Sequence, residues 1–74
     1  MTKKRTKTLA DRIKAARFAK GLTQEQAAAK AGIRQGAWSE YETGRVENPN
    51  FATIKRIAAA LDVSLDALAG GDGH

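Results

Sequence analysis

Two short segments rich in alanine and glutamine follow one another near the middle of the chain, and Gly32 separates them. They occupy residues 23–31 and 33–43. Alanine has the highest helix propensity of all residues, so one longer helix would form readily here, whereas each short helix alone is marginal in water. Packing against the rest of the chain must therefore hold two separate helices. This break constrains the fold more than any other feature of the sequence.

Residues typical of helix ends mark out five helices. Side chains that can cap a helix N-terminus stand at Thr8, Thr23, Asn50 and Ser64. Glycines, which accept a left-handed conformation, follow the first three helices at Gly21, Gly32 and Gly44. The predicted helices run from Leu9 to about Lys20, from Thr23 to about Lys30, over about eight residues after Arg34, from Phe51 to Leu61, and over a short stretch after Ser64.

Apolar residues repeat at helical spacing and predict a single core. The fourth helix carries the stripe Phe51, Ile54, Ile57, Ala58 and Leu61. Trp38 and Tyr41 are three residues apart, which favours both rings in the core; the alternative is a surface role for Trp38 in stacking or partner binding. With 74 residues and no strand alternation, the chain suits one small domain. The prediction is an all-α fold, a compact bundle of five helices.

Basic residues are concentrated at the start of the chain. Lys3, Lys4, Arg5 and Lys7 supply most of the net charge of +5. A basic domain favours a polyanionic partner, and nucleic acid is the commonest one. We expect residues 1–7 to be a disordered arm, which is either only solvated or in contact with phosphates. The domain should span residues 8–69, followed by a flexible tail at 70–74.

Several classes of protein are disfavoured. The chain has no cysteine, so disulfides and thiolate metal sites are not expected. No apolar run approaches the roughly 20 residues of a membrane helix, and no apolar segment follows the basic start as it would in a signal peptide. The single histidine is His74, and no serine or carboxylate has a recognisable base beside it, so we expect no catalysis. The expectation is a cytoplasmic protein without metal or cofactor.

The glycine turn between the second and third helices belongs to a larger set of motifs. A turn of three or four residues lets two helices cross steeply, and in a helix-turn-helix unit the second helix then enters the DNA major groove. The accompanying motifs are Gly21-Leu22-Thr23-Gln24, the stretch 28–32, Ile33, Ser39, Glu42-x-Gly44-Arg45, Asn48-Pro49 and the stretch 61–68. With them, residues 9–69 resemble the Cro and lambda-repressor type of helix-turn-helix regulator, also called XRE-like. The unit itself would occupy about residues 23–43.

The resemblance implies which residues read bases. In this family the start of the third helix and its next turn face base edges, and those positions are here Gln35, Gly36, Ala37 and Glu40. Gln35 can bond bidentately to adenine, Ala37 can contact a thymine methyl group, and Glu40 can accept from the cytosine amino group. Gly36 has no side chain to read a base. It indicates either a close approach of the backbone to a ligand or simple tolerance near a helix end.

The resemblance also implies phosphate contacts and an internal ion pair. The expected phosphate contacts are Gln24, Arg34, Ser39, Arg45 and Asn50. Asn50 has a second role available as the cap of the fourth helix, and the two roles are compatible. Arg17 and Glu42 match a family pair that joins across the interior beside the DNA-facing surface. Ala28 matches a small residue that lets the second and third helices pack closely.

Two features depart from the family pattern. Members commonly carry leucine where this chain has Ala27 and isoleucine or valine where it has Trp38, so volume lost at one position can be regained at the other. Glu40 and Glu47 place negative charge beside the expected DNA face. We therefore expect modest non-specific affinity and a strong dependence on DNA sequence.

The leading functional hypothesis is a sequence-specific regulator of transcription, a repressor in the first instance, that binds double-stranded DNA. One small recognition helix buries too little surface to select a site alone, so we expect a homodimer on a palindromic operator, with Leu65 and Leu68 as candidate interface residues. No small-molecule effector is evident. The alternative is a protein-interaction module of antitoxin or assembly type that uses the same helices, with RNA binding as a minor third possibility.

Overall fold

The computed structural model of the chain describes residues 8–46 and 49–69, and every regular element in those two ranges is a helix. The five helices are α1 (Leu9–Lys20), α2 (Gln24–Ala31), α3 (Gln35–Thr43), α4 (Phe51–Leu61) and α5 (Leu65–Ala69). The predicted all-α, five-helix fold is thereby confirmed. The predictions for the arm at residues 1–7, the tail at residues 70–74 and Glu47 fall outside the described residues.

The helix N-termini are held by the side chains that the sequence predicts. Thr8 and Thr23 form capping boxes with Asp11 and Gln26, respectively. The Asn50 side chain accepts the N–H of Thr53 at 3.2 Å, and the Ser64 hydroxyl accepts the N–H of Ala67 at 3.1 Å. α3 differs, because it begins after Arg34 without a side-chain cap.

Left-handed residues end the first four helices. Gly21, Gly32 and Gly44 have φ angles of 72°, 74° and 76°, as the sequence predicts. α4 ends at Asp62 with φ 60°, a conformation that short polar residues tolerate better than most. The chain therefore turns sharply after each of these helices, which keeps α2 and α3 separate.

One core joins all five helices. α2 packs against α3 and α4, α1 against α3, and α5 against α1 and α4. The largest fully buried side chains are Trp38, Ile13, Ile57, Leu61 and Leu68. Ala27 and Ala28 are buried as well, and their small size allows neighbouring helices to approach closely. Tyr41 is 8% exposed, so the predicted core placement of both α3 aromatics is confirmed.

Phe51 corrects the predicted stripe of α4. Its side chain is 66% exposed, whereas the periodicity places it in the core. Phe51 is the first residue of α4, and helical side chains lean toward the N-terminus, so its ring projects past the end of the helix. Lys55, one turn later, holds its ammonium 5.8 Å from the ring centroid. Ile54, Ile57, Ala58 and Leu61 are buried as predicted.

Candidate nucleic-acid interface

The outward face of α3 carries the predicted base-reading residues. Gln35, Gly36 and Glu40 are exposed, and Ala37 is half-buried. A Cβ atom built at Gly36 would meet no atom within 4 Å, so packing inside the domain does not explain the glycine. Three polar or backbone groups are thus presented to solvent by one short helix.

The inward face of the same helix is buried and anchored. Trp38 and Tyr41 lie in the core, and the Tyr41 hydroxyl accepts the backbone N–H of Asn50 at 3.2 Å. Glu42 is only 7% exposed although it is an acid. A charged group at such a position must be paired and hydrogen-bonded, because an isolated buried charge costs several kcal/mol.

Glu42 receives hydrogen bonds from three helices. Its Oε2 accepts from Arg17 Nε at 2.5 Å and from Trp38 Nε1 at 2.5 Å. Its Oε1 accepts from Arg17 Nη2 at 3.1 Å and from Gln24 Nε2 at 3.0 Å. The ion pair between Arg17 and Glu42 is therefore present and buried, with side chains 9% and 1% exposed. We call Arg17, Gln24, Trp38 and Glu42 the Glu42 cluster.

The Arg17 guanidinium also reaches the turn before α2. Its Nη1 donates to the carbonyl oxygen of Leu22 at 2.9 Å. It lies 4.6 Å from the ring centroid of its neighbour Phe18, which is 64% exposed. One side chain of α1 thus connects α3, through Glu42, with the segment that leads into α2.

The electrostatics of the Glu42 cluster keep the carboxylate ionised. Burial by itself raises the pKa of Glu42, but hydrogen bonds from Arg17, Gln24 and Trp38, together with the charge of Arg17, lower it by more. The pKa of Glu42 therefore lies below its ordinary value. At neutral pH the cluster holds a full ion pair.

Gln24 takes an inward contact that its predicted role does not include. The resemblance assigns it to phosphate, whereas its side-chain amide donates to Glu42. A glutamine amide has two N–H donors, so this bond leaves a second donor for a ligand. Gln24 is also the first residue of α2, where backbone N–H groups lack partners within the helix.

The other predicted phosphate contacts lie on α3, beside its two ends and before α4. Arg34 and Arg45 flank α3 and are exposed, and Ser39 is half-buried. Asn50 caps α4 through its side chain, so its predicted capping role is confirmed. Its contact with DNA stays a prediction, as do those of the other three residues.

The two candidate dimer residues have different surroundings. Leu68 is 1% exposed and belongs to the core of this chain, so it is not available to a second copy. Leu65 is half-buried and lines an apolar cavity of about 350 Å³ with Leu9, Pro49, Phe51 and Ile54. We call these five residues the Phe51 cavity.

Sequence reasoning missed the bond between Trp38 and Glu42 and the exposure of Phe51. Trp38 and Glu42 are four residues apart, the spacing at which helical side chains meet, so the contact could have been inferred. The Gln24 bond joins residues on different helices and has no such local signal. Within residues 8–46 and 49–69, no group of three or more His, Cys, Asp or Glu side chains is suitable for a metal ion. None of the helices described is both long and apolar enough to cross a membrane.

Comparison with known proteins identifies the family. The family model described as Helix-turn-helix matches residues 13–68, and the chain belongs to this family. The uncharacterised HTH-type transcriptional regulator YqaE of Bacillus subtilis (strain 168) is 41% identical over 64 residues, which are 86% of this chain and 54% of that protein. The immunity repressor protein of Bacillus phage phi105 is 36% identical over 63 residues, 85% of this chain and 43% of that protein.

A solved structure extends the likeness to three dimensions. The P22 c2 repressor protein, crystallised in complex with the synthetic operator 9T, superposes with a TM-score of 0.82 at 30% identity, covering 90% of this chain and 100% of that chain. The resemblance to the lambda-repressor type is therefore confirmed. The chain spans about half the length of the curated relatives it matches.

Proposed function

We propose that this domain binds double-stranded DNA in a sequence-specific manner and regulates transcription, acting as a repressor. The observation that carries the proposal is the division of α3 into an exposed face and an anchored face. Gln35, Gly36 and Glu40 are open to solvent, while Glu42 on the other side is tied to α1 and α2. A helix held in this way can enter a groove without reorganising, which lowers the cost of binding.

Family membership supports the same function. The helix-turn-helix family is a family of DNA-binding transcription regulators. The P22 c2 repressor, which has the same fold, was crystallised with an operator. The phage phi105 relative is an immunity repressor. These proteins make DNA the first ligand to test.

Specificity would come from three side chains. Gln35 can recognise adenine, Ala37 a thymine methyl group and Glu40 the cytosine amino group. Glu40 repels phosphate in every duplex but gains a hydrogen bond only where cytosine lies opposite it. It therefore penalises wrong sequences more than right ones.

Phosphate contacts would supply the remaining affinity. Arg34 and Arg45 are the charged members of the predicted set, and Gln24, Ser39 and Asn50 are neutral donors. A dimer with two cationic contacts per subunit would neutralise about four phosphates. Since each contributes roughly 0.9 to the slope, log Kd should rise by about 4 for each unit of log salt concentration. A protein interface of mixed polarity would respond less, which separates DNA binding from the protein-interaction alternative.

Selection from random duplex DNA tests the proposal. The protein is expected to enrich one motif, and the affinity for that motif should fall steeply as salt rises. Competition with duplex RNA and with a scrambled duplex measures the specificity. If no duplex is enriched above the starting pool at low salt, the protein does not have the proposed function.

We further infer a homodimer on a palindromic site, with the Phe51 cavity as the contact. The cavity is lined by apolar side chains. Phe51 is its aromatic member and is exposed, and Leu65 of α5 is half-buried. Two half-sites about one helical turn apart would then match the two-fold axis. A symmetric enriched motif would support this arrangement.

Two exposed phenylalanines provide a matched test of the dimer. Phe51 and Phe18 are 66% and 64% exposed, but only Phe51 lines the cavity. Phe51→Ser is expected to shift sedimentation toward the monomer and to weaken binding to the symmetric site, whereas Phe18→Ser leaves both unchanged. Equal behaviour of the two variants would place the dimer contact elsewhere.

A further inference from the structure

The indole of Trp38 makes a contact that the usual family residues at this position could not make. Isoleucine and valine, which the resemblance leads one to expect here, have no hydrogen-bond donor. Trp38 is fully buried and donates from Nε1 to Oε2 of Glu42 at 2.5 Å. Burial in the core explains a large side chain at this position, but it does not explain an N–H aimed at the buried carboxylate.

The Glu42 carboxylate is saturated by its donors. Two carboxylate oxygens offer about four acceptor positions, and Arg17 fills two of them while Trp38 and Gln24 fill one each. Rotation of the carboxylate would break bonds to more than one helix at once. Removal of the Trp38 donor leaves Oε2 held by Arg17 alone, so the carboxylate can turn away from Gln24.

We propose that Trp38 is a positioning residue of the DNA interface: its indole N–H orients Glu42 so that Oε1 holds Gln24, and this aligns the first turn of α2 with α3. The inference rests on the proposed function, because the first turn of α2 is one of its phosphate contacts. Trp38 itself touches no ligand. Its effect on binding passes through Glu42 and Gln24.

Three variants separate the N–H from the bulk of the ring. Trp38 is the only tryptophan in 74 residues, so chemical synthesis can replace it with β-(3-benzothienyl)alanine, which keeps the bicyclic shape and lacks the N–H. Trp38→Phe is the genetic counterpart. Tyr41→Phe is the matched control for the NMR readout, since it removes one polar group from the other buried aromatic of α3, where the contact is with Asn50 and not with the Glu42 cluster, and it should leave the Gln24 signals in place.

The first readout is NMR without DNA. In the benzothienyl protein the side-chain amide signals of Gln24 are expected to move, while those of Gln26, which lies in the α2 capping box, stay in place. The Glu42 carboxyl should titrate at a higher pH than in the unmodified protein, because a donor to its charged form is lost. The charged group that contacts Glu42 is Arg17 from α1. The carboxyl group of Asp11 is the other acid near it, since Asp11 and Glu42 both line a cavity of about 460 Å³.

The second readout is affinity for the selected duplex, measured where every variant is folded. The benzothienyl protein is expected to bind about threefold to tenfold more weakly, within the range for a residue that acts through others. Unchanged Gln24 signals and an unchanged Glu42 titration would overturn the inference, as would full affinity in the benzothienyl protein. If the unmodified protein selects no duplex, the proposed function fails while the NMR readout still decides the positioning role.

Discussion

The two faces of α3 differ in how their side chains are held. On the inner face, Trp38, Tyr41 and Glu42 are buried, and each side chain forms a hydrogen bond inside the domain. On the outer face, Gln35, Gly36 and Glu40 are exposed. The inner face sets where the helix lies, and the outer face is left free to set what it binds. Substitutions on the two faces should therefore change different measured quantities.

The comparison also shows why a buried charge is retained here. A buried ion pair contributes little net stability compared with apolar residues of the same volume, but it is sensitive to the loss of either partner. The Glu42 cluster connects α1, α2 and α3 through one carboxylate. We interpret it as a device that specifies the relative placement of these helices, which apolar packing alone specifies less sharply.

Removal of Glu42 should have the largest effect. Glu42→Ala leaves Arg17 buried without its partner and should lower the free energy of unfolding by about 3 to 5 kcal/mol, with a similar loss for Arg17→Ala. DNA binding should fall with it. Thermal and urea denaturation measure the change.

An exposed ion pair provides the control for this experiment. Lys20 lies 3.7 Å from Asp62, with side chains 42% and 84% exposed, and Lys20→Ala should cost less than about 1 kcal/mol. If Glu42→Ala melts within a degree or two of the unmodified protein, the stability of the inner face of α3 does not depend on the ion pair.

Acid should reduce the stability that Glu42 contributes on the inner face of α3. Because the pKa of Glu42 is lower in the folded chain than in the unfolded chain, its contribution to stability is complete above the unfolded pKa of about 4.3. The contribution is lost as the pH falls from there through the folded pKa. Urea denaturation from pH 7 to pH 3 measures this loss.

Glu42→Gln isolates the contribution of this one carboxyl group. The other acidic residues titrate in both proteins, so the difference between the two stability curves reports Glu42. This difference should shrink as the pH falls below about 4.3. A difference that stays constant down to pH 3 would assign the acid sensitivity to other groups.

Gly36→Ala should stabilise the domain. The position is helical, the new Cβ meets nothing within 4 Å, and alanine in a helix is favoured over glycine by roughly 0.5 to 1 kcal/mol. Denaturation measures the gain. Affinity for the selected duplex then separates the two interpretations of Gly36. A loss of affinity in the more stable protein indicates close approach to DNA, and full affinity indicates simple tolerance.

Glu40→Gln should leave stability almost unchanged, within about 0.5 kcal/mol, as expected for an exposed side chain. The substitution should instead change how the protein recognises DNA. Non-specific affinity should rise because a negative charge is removed, and preference for cytosine should relax. Binding to the selected duplex and to single-base variants measures both. Selectivity equal to that of the unmodified protein would remove Glu40 from the base-reading set.

Local chemistry accounts for the parts of the fold that could be predicted. Caps at Thr8, Thr23, Asn50 and Ser64 involve residues within three positions of one another, and so their pattern is readable in the chain. The exposure of Phe51 was not predicted because periodicity cannot tell which element covers the end of a helix. The family resemblance, not periodicity, led to the pairing of Arg17 with Glu42.

The sequence by itself determined the five helices, their ends and most of the core, because caps, glycine turns and apolar spacing act over a few neighbouring residues. Only the tertiary structure decided that the Gln24 side chain would join Arg17 on the Glu42 carboxylate, and that Leu68 would be internal while Phe51 stays outside. These outcomes depend on how helices pack across long sequence separations. Packing brings charged groups and hydrogen-bond donors that are far apart in the chain to the same buried carboxylate.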